Sequence, residues 1–178
     1  MEKGIILKNC AVVTLDAKDK VMESTNIWIE AGKIRKIGAF TEEMENSDAE
    51  IMDLKGKLVT PGFVNSHNHL SMSLFRNYAD DMRLMDWLFT KIFPLEDKLD
   101  AAKAKLGAEL ALCEMIRTGT TTTSDMYFFM DQIAAAVGQS GIKGALSRGL
   151  QGDDEGEELD YRLAENIELF NNYNNSFD

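Results

Sequence analysis

"TPGFVNSHNHLSM", Thr60 to Met72, holds both histidines of this 178-residue chain, His67 and His69, one residue apart behind a proline-glycine turn. The piece "GFVNSH" is short, apolar and bounded by turn residues, the pattern of a buried strand. Residues two apart on a strand point to the same side, so the two imidazoles are expected to project together while Asn68 faces away. Imidazole nitrogen suits zinc and other first-row divalent metals, and two rings from one strand end can share an ion. The plain alternative is a pair of packed histidines with no ligand, and the H-x-H spacing alone does not separate the two. Context favours the metal: the turn leads straight into the strand, a β-rich leader precedes it, and histidine occurs nowhere else.

Outward from this stretch the rhythm differs on the two sides. Upstream, "GIILKNCAVVTL", "NIWIEAGKIRKIG" and "AEIMDLKGKLVTPGF" read as strands, the second a hairpin turning at Ala31-Gly32 and the third a strand pair about Lys55-Gly56. "AFTEEMENSD" between them reads as a loop or short helix. Residues 1–60 are therefore expected to form a small antiparallel sheet. Downstream, "LMDWLFTKIFPLED" and "AAKAKLGAELALCEMIRTG" are helical in pattern, the latter capped by Asp100 and closed by Gly119, with Leu106, Leu110 and Cys113 on one face. "TTTTSDMYF", "MDQIAAAVGQSG", "IKGALSRGL" and "LDYRLAENIELFNNY" continue as strand, helix, strand, helix. This alternation predicts a parallel sheet with helical crossovers over residues 61–178.

Composition narrows the function classes. Thirty acids against nineteen bases leave a formal charge of -11, with no dense basic cluster, which argues against a nucleic-acid partner. From Gln151 to Asp178 a single base, Arg162, stands among many acids, as on a solvated loop and helix face. No apolar run approaches the roughly 20 residues of a membrane span, and the start "MEKGIILKNC" lacks a signal-peptide pattern, so the expectation is a cytoplasmic protein without a membrane partner. Cys10 and Cys113 have no metal or disulfide spacing and are expected to be reduced core thiols.

"VTPGFVNSHNHL" resembles the first-strand signature of the amidohydrolase superfamily of metal-dependent hydrolases. "LFRNYADDMRLMDWLFTKIFPLEDKL", "GTTTTSDMYF" and "ALSRGL" resemble the branch of 5-methylthioadenosine/S-adenosylhomocysteine deaminases and chlorohydrolase-like enzymes. The fold this implies is α/β: a (β/α)₈ barrel with a small β-sandwich built from segments on either side of it. Residues 1–60 would then be the N-terminal part of that sandwich. Residues 61–178 would be the first three βα units of a truncated barrel, since a whole one takes about 250 residues. The resemblance makes His67 and His69 ligands of a divalent metal, zinc by first choice. It places Trp87 beside a purine-like base, Glu96 at ribose hydroxyls, and Arg148 and Arg162 at the carboxylate of a homocysteine-type substituent.

Each assignment has a structural alternative: core packing for Trp87, a helix-dipole acid for Glu96, a surface ion pair for Arg162. The resemblance puts no catalytic residue within the chain, because it implies that the further ligands and the proton-shuttling carboxylate belong to later strands. Asp125 receives no role. The implied activity is hydrolytic deamination of adenosine-type nucleosides; triazine, guanine or cytosine hydrolysis and a non-catalytic fragment are the alternatives. An incomplete barrel is also expected to self-associate through exposed strand edges.

Overall fold

The computed structural model describes residues 3–18, 20–150 and 156–176, and divides into two units, Met1–Pro61 and Gly62–Asp178. In the first, β1 (Ile5–Val13), β2 (Val21–Glu30) and β3 (Lys33–Gly38) pair antiparallel. The β2–β3 hairpin turns at Ala31 and Gly32, both with positive φ, which matches a two-residue turn to the strand twist. Trp28 and Ile27 are successive, hence on opposite faces of β2, and both are buried. Trp28 packs with Ile6 and with Met44 of the short helix α1 (Glu42–Glu45), whereas Ile27 packs with Cys10 and Val12. The sheet thus has apolar packing on both sides.

The sheet is mixed, not antiparallel as expected. β4 (Glu50–Asp53) and β5 (Leu58–Val59) do not pair with each other; both run parallel to β1, at Ile5–Lys8 and Ala11–Val12 respectively. The turn at Lys55-Gly56 jogs the chain without reversing it: Lys57 N–H donates to Leu54 O, and Ala11 N–H to Lys57 O. β1 accommodates the jog with a register shift at Asn9, whose φ is 59° and whose amide donates to Asp53 Oδ1 at 3.1 Å.

In the second unit β6 (Phe63–Asn68), β7 (Thr120–Tyr127) and β8 (Lys143–Arg148) form a parallel sheet in that order. A 3₁₀ turn at Leu70–Phe75 follows β6; then α2 (Leu84–Trp87), a π turn (Leu88–Ile92) and α3 (Phe93–Glu96) continue one another. α4 (Ala101–Thr118) starts on the Asp100 carboxylate, which accepts from Lys103 N–H at 2.8 Å, and ends on left-handed Gly119, as expected. α5 (Met130–Ser140) closes on Gly141, and α6 (Gly156–Tyr173) follows β8. The core gathers Leu70, Leu112, Met115, Tyr127, Ile133, Val137 and Leu169. Asp153, Asp154, Glu155 and Asp178 of the acidic segment lie outside the described residues. Among the described residues no helix is long and apolar enough to cross a membrane.

The face of α4 chosen for burial corrects the sequence reading. Leu106 and Leu110 are 59% and 43% exposed, and Cys113 is exposed, so only Cys10 is a core thiol. α4 buries Ala104, Gly107, Ala108, Ala111, Leu112 and Met115 instead, and at Ala104 and Gly107 the small residues let it approach the 3₁₀ turn closely. Replacing Leu106 and Leu110 together by glutamine is expected to change unfolding free energy by no more than about 0.5 kcal/mol. Self-association, read by sedimentation velocity, should fall. A large loss of stability would mean that this face is packed.

Candidate functional site

Parallel strands end on the same side of their sheet, so the C-terminal ends of β6, β7 and β8 bring His67, Tyr127 and Arg148 to one edge. His67 lies within β6 and His69 one residue beyond it. Their rings converge, with centroids 5.1 Å apart and planes at 79°. Asn68 turns to β7, its amide donating to Thr123 Oγ1 at 3.4 Å.

His69 Nδ1 lies 2.6 Å from the carbonyl oxygen of Met126. A carbonyl only accepts, so Nδ1 carries the proton and Nε2 keeps its lone pair. A ring held in this way, with its outer nitrogen on a backbone carbonyl, is the arrangement of a metal-ligating histidine. The two imidazoles therefore fit a divalent cation as part of its ligand set. Among the described residues no group of three or more histidine, cysteine or acidic side chains gathers to complete it.

His69, Trp87, Glu96, Arg148 and Arg162 all line one cavity of about 290 Å³, together with Ile92, Phe128 and other apolar side chains. Trp87, at the end of α2, is half-buried at this pocket and absent from the core. Glu96 closes α3, and its Oε1 accepts from Tyr127 Oη at 2.7 Å. Burial, with the Glu96 carboxylate second, pushes the Tyr127 hydroxyl well above the usual phenol range, so it remains a donor. Arg148 is nearly buried at 10% side-chain exposure; its guanidinium sits 4.4 Å from the Phe128 ring centre and its Nε donates to Glu165 Oε2 at 3.1 Å. Asn166 on α6 accepts from Arg148 N–H and donates to its carbonyl, both at 2.9 Å, tying the strand end to that helix. Arg162 donates from Nη1 to Gly149 O at 3.4 Å.

Sequence reasoning missed the contribution of β7 to this pocket. Met126 and Tyr127 at the end of β7, and Phe128 directly after it, line the cavity, and Asp125 precedes them on the strand. The available signal was "DMYF" itself, an acid and two aromatics at the end of a β-branched strand.

Asp125 is 1% exposed; its Oδ1 accepts from Leu70 N–H at 2.6 Å, while Oδ2 has no hydrogen-bond partner among the described residues. Burial, opposed by the Leu70 bond, raises its carboxyl from 3.8 to about 6. A raised folded-state value favours the protonated form in the fold. Its contribution is therefore complete below about pH 4 and is lost as pH rises through about 6, a difference of roughly 3 kcal/mol. Urea midpoints should fall across that window in the wild type and stay flatter in Asp125→Asn. Equal slopes would remove Asp125 as the source.

Residues 58–171 match the amidohydrolase family, and the chain belongs to that family. It is 41% identical over 175 residues to a 5-methylthioadenosine/S-adenosylhomocysteine deaminase of Thermoanaerobacter pseudethanolicus, an alignment covering 98% of this chain and 40% of that protein. It is 47% identical over 146 residues to a 5'-deoxyadenosine deaminase of Methanosarcina mazei, covering 82% and 33%. Among solved structures it is similar to an adenosine deaminase from Xanthomonas campestris with bound zinc, with a TM-score of 0.79 at 27% identity over 97% of this chain and 40% of that one. The chain thus spans between 33% and 40% of the length of these proteins. The resemblance read from the sequence and the α/β class both stand.

Proposed function

We propose that this chain supplies the nucleoside-recognition wall and two metal ligands of an aminohydrolase that releases ammonia from adenosine-type nucleosides. The observation that carries the reading is the convergence of His69, Trp87, Glu96, Arg148 and Arg162 on one cavity. The names of its relatives support the substrate class.

In this reading His67 and His69 hold a divalent metal, zinc by preference, which when bound acts as a Lewis acid that lets water serve as a nucleophile near neutral pH. Trp87 flanks the base. Glu96, with one oxygen engaged by Tyr127, accepts from ribose hydroxyls through the other. The Arg148 guanidinium, fixed through Nε and stacked on Phe128, turns toward a carboxylate, with Arg162 beside it. Gly62–Asp178 is read as the first three βα units of a (β/α)₈ barrel, and Met1–Pro61 as the N-terminal part of a composite β-sandwich. The remaining ligands and the proton-transferring carboxylate belong to later strands, in the part of the relatives that this chain does not span. The protein is placed in the cytoplasm, acting on a small molecule.

The test joins this chain to the downstream segment of the Thermoanaerobacter relative and assays ammonia from methylthioadenosine and S-adenosylhomocysteine. Turnover of both is expected. In the joined enzyme Arg148→Lys should raise KM for S-adenosylhomocysteine more than for methylthioadenosine, which lacks the carboxylate. Turnover of guanine, cytosine or a chlorotriazine without either nucleoside would overturn the reading.

A further inference from the structure

We propose that the end of β7, Asp125 with Met126, is the positioning element that sets the tautomer and direction of His69. His67 lies inside β6, where strand geometry orients its side chain. His69 has left the strand, with φ -135° and ψ 79°, and occupies the cap position of the 3₁₀ turn without a side-chain cap bond. Local bonds hold only its backbone, the N–H donating to Asn68 Oδ1 and the carbonyl accepting from Met72 N–H, both at 2.9 Å; the ring's hydrogen bond comes from β7.

Three groups of β7 hold this segment in sequence. Thr123 Oγ1 accepts from the Asn68 amide, Met126 O accepts from His69 Nδ1 at 2.6 Å, and Asp125 Oδ1 accepts from Leu70 N–H at 2.6 Å. Asn68 and Asp125 are register partners, so these bonds flank the histidine on both sides.

The need for a buried carboxylate follows from the cap. The first N–H groups of a helical turn lack partners within the turn; a capping side chain reaches those of its second and third residues, so the N–H of the first, here Leu70, needs an acceptor from elsewhere. Here the cap is a histidine, whose ring is turned away to the Met126 carbonyl. Leu70 is 1% exposed, so its N–H cannot turn to water, and leaving it unpaired would cost about 1–3 kcal/mol. The cap is therefore supplied across the sheet, by Asp125. The same strand end continues into Tyr127, which holds Glu96.

The inference rests on the proposed function in taking His69 as a ligand, but its test reads the ring in the metal-free chain. Long-range ¹H–¹⁵N spectra of histidine-labelled protein should show His69 as the Nδ1–H tautomer. Asp125→Asn keeps an acceptor and should preserve that signature. Asp125→Ala should give a tautomer-averaged ring, faster exchange of the Leu70 amide, and a zinc affinity, by competition dialysis, lowered roughly 10- to 100-fold. An Nε2–H or averaged ring in the wild type would overturn the proposal, as would an unchanged ring in Asp125→Ala. If Asp125→Ala does not fold, Asp125→Asn still decides, because loss of the signature there would refute a neutral acceptor role. An ordered wild-type ring that binds no zinc supports the positioning and overturns the ligand reading.

Discussion

His67→Ala and His69→Ala are each expected to weaken zinc or cobalt binding more than the roughly 10- to 100-fold that loss of an outer partner costs, and together to leave only the diffuse cation binding of an acidic surface. The rings meet at 5.1 Å between centroids, and one has its outer nitrogen already committed to a carbonyl, so on the proposed reading removal of either would open the chelate. Neither histidine belongs to the core, so folding should survive both changes. The net charge of -11 supplies the background against which the effect is measured. Equilibrium dialysis at about 0.15 M salt, where exposed charges more than roughly 8 Å apart are screened, separates the two contributions. Equal affinity in wild type and double variant would place the cation elsewhere.

The second large effect concerns stability and reverses an ordinary rule. Glycine inside a helix costs about 1 kcal/mol relative to alanine, so Gly107→Ala in α4 should stabilise by propensity alone. A Cβ at this position would lie 2.5 Å from the backbone carbonyl oxygen of Ser71 and 3.0 Å from Leu74 Cγ. Backbone cannot swing aside, and two hydroxyls clamp the segments together: Ser71 Oγ donates to Ala104 O at 2.8 Å and Ser73 Oγ to Gly107 O at 2.6 Å. Overpacking of this kind costs about 1–3 kcal/mol, so the net change is expected to be destabilising. Because the displaced turn begins directly after His69, cation binding should weaken as well. A urea midpoint raised by the substitution would show that α4 and the turn are not in contact as described.

Legibility in the sequence was uneven for identifiable reasons. The strand-helix alternation after Pro61 was readable because each element carries its own local signals, Asp100 and Gly119 around α4 and Gly141 after α5. The histidine pair was readable as a motif, but the period of two that predicts its direction stops with β6 at Asn68, and the His69 ring is held instead by the Met126 carbonyl. The pairing of β4 and β5 was not, because a turn that reverses a chain and one that merely jogs it look alike at Lys55-Gly56. The buried face of α4 was misread because apolar size pointed to Leu106 and Leu110, whereas the fold buries the face on which Leu112 and Met115 stand with Ala104, Gly107, Ala108 and Ala111. Asp125 received no role because a buried acid and a surface acid are the same letter until a partner is located.

Local chemistry in the amino-acid order therefore determined the elements after Pro61, their parallel arrangement and the presence of the two histidines at a strand end, since propensity and capping act over a few residues. Tertiary structure alone decided that Glu96 meets Tyr127, that Asp125 caps a turn 55 residues away, and that Arg148 lies between Phe128 and Glu165. Those outcomes depend on strand register and on which faces pack. Both are settled by burial summed over the whole unit, which no short stretch contains.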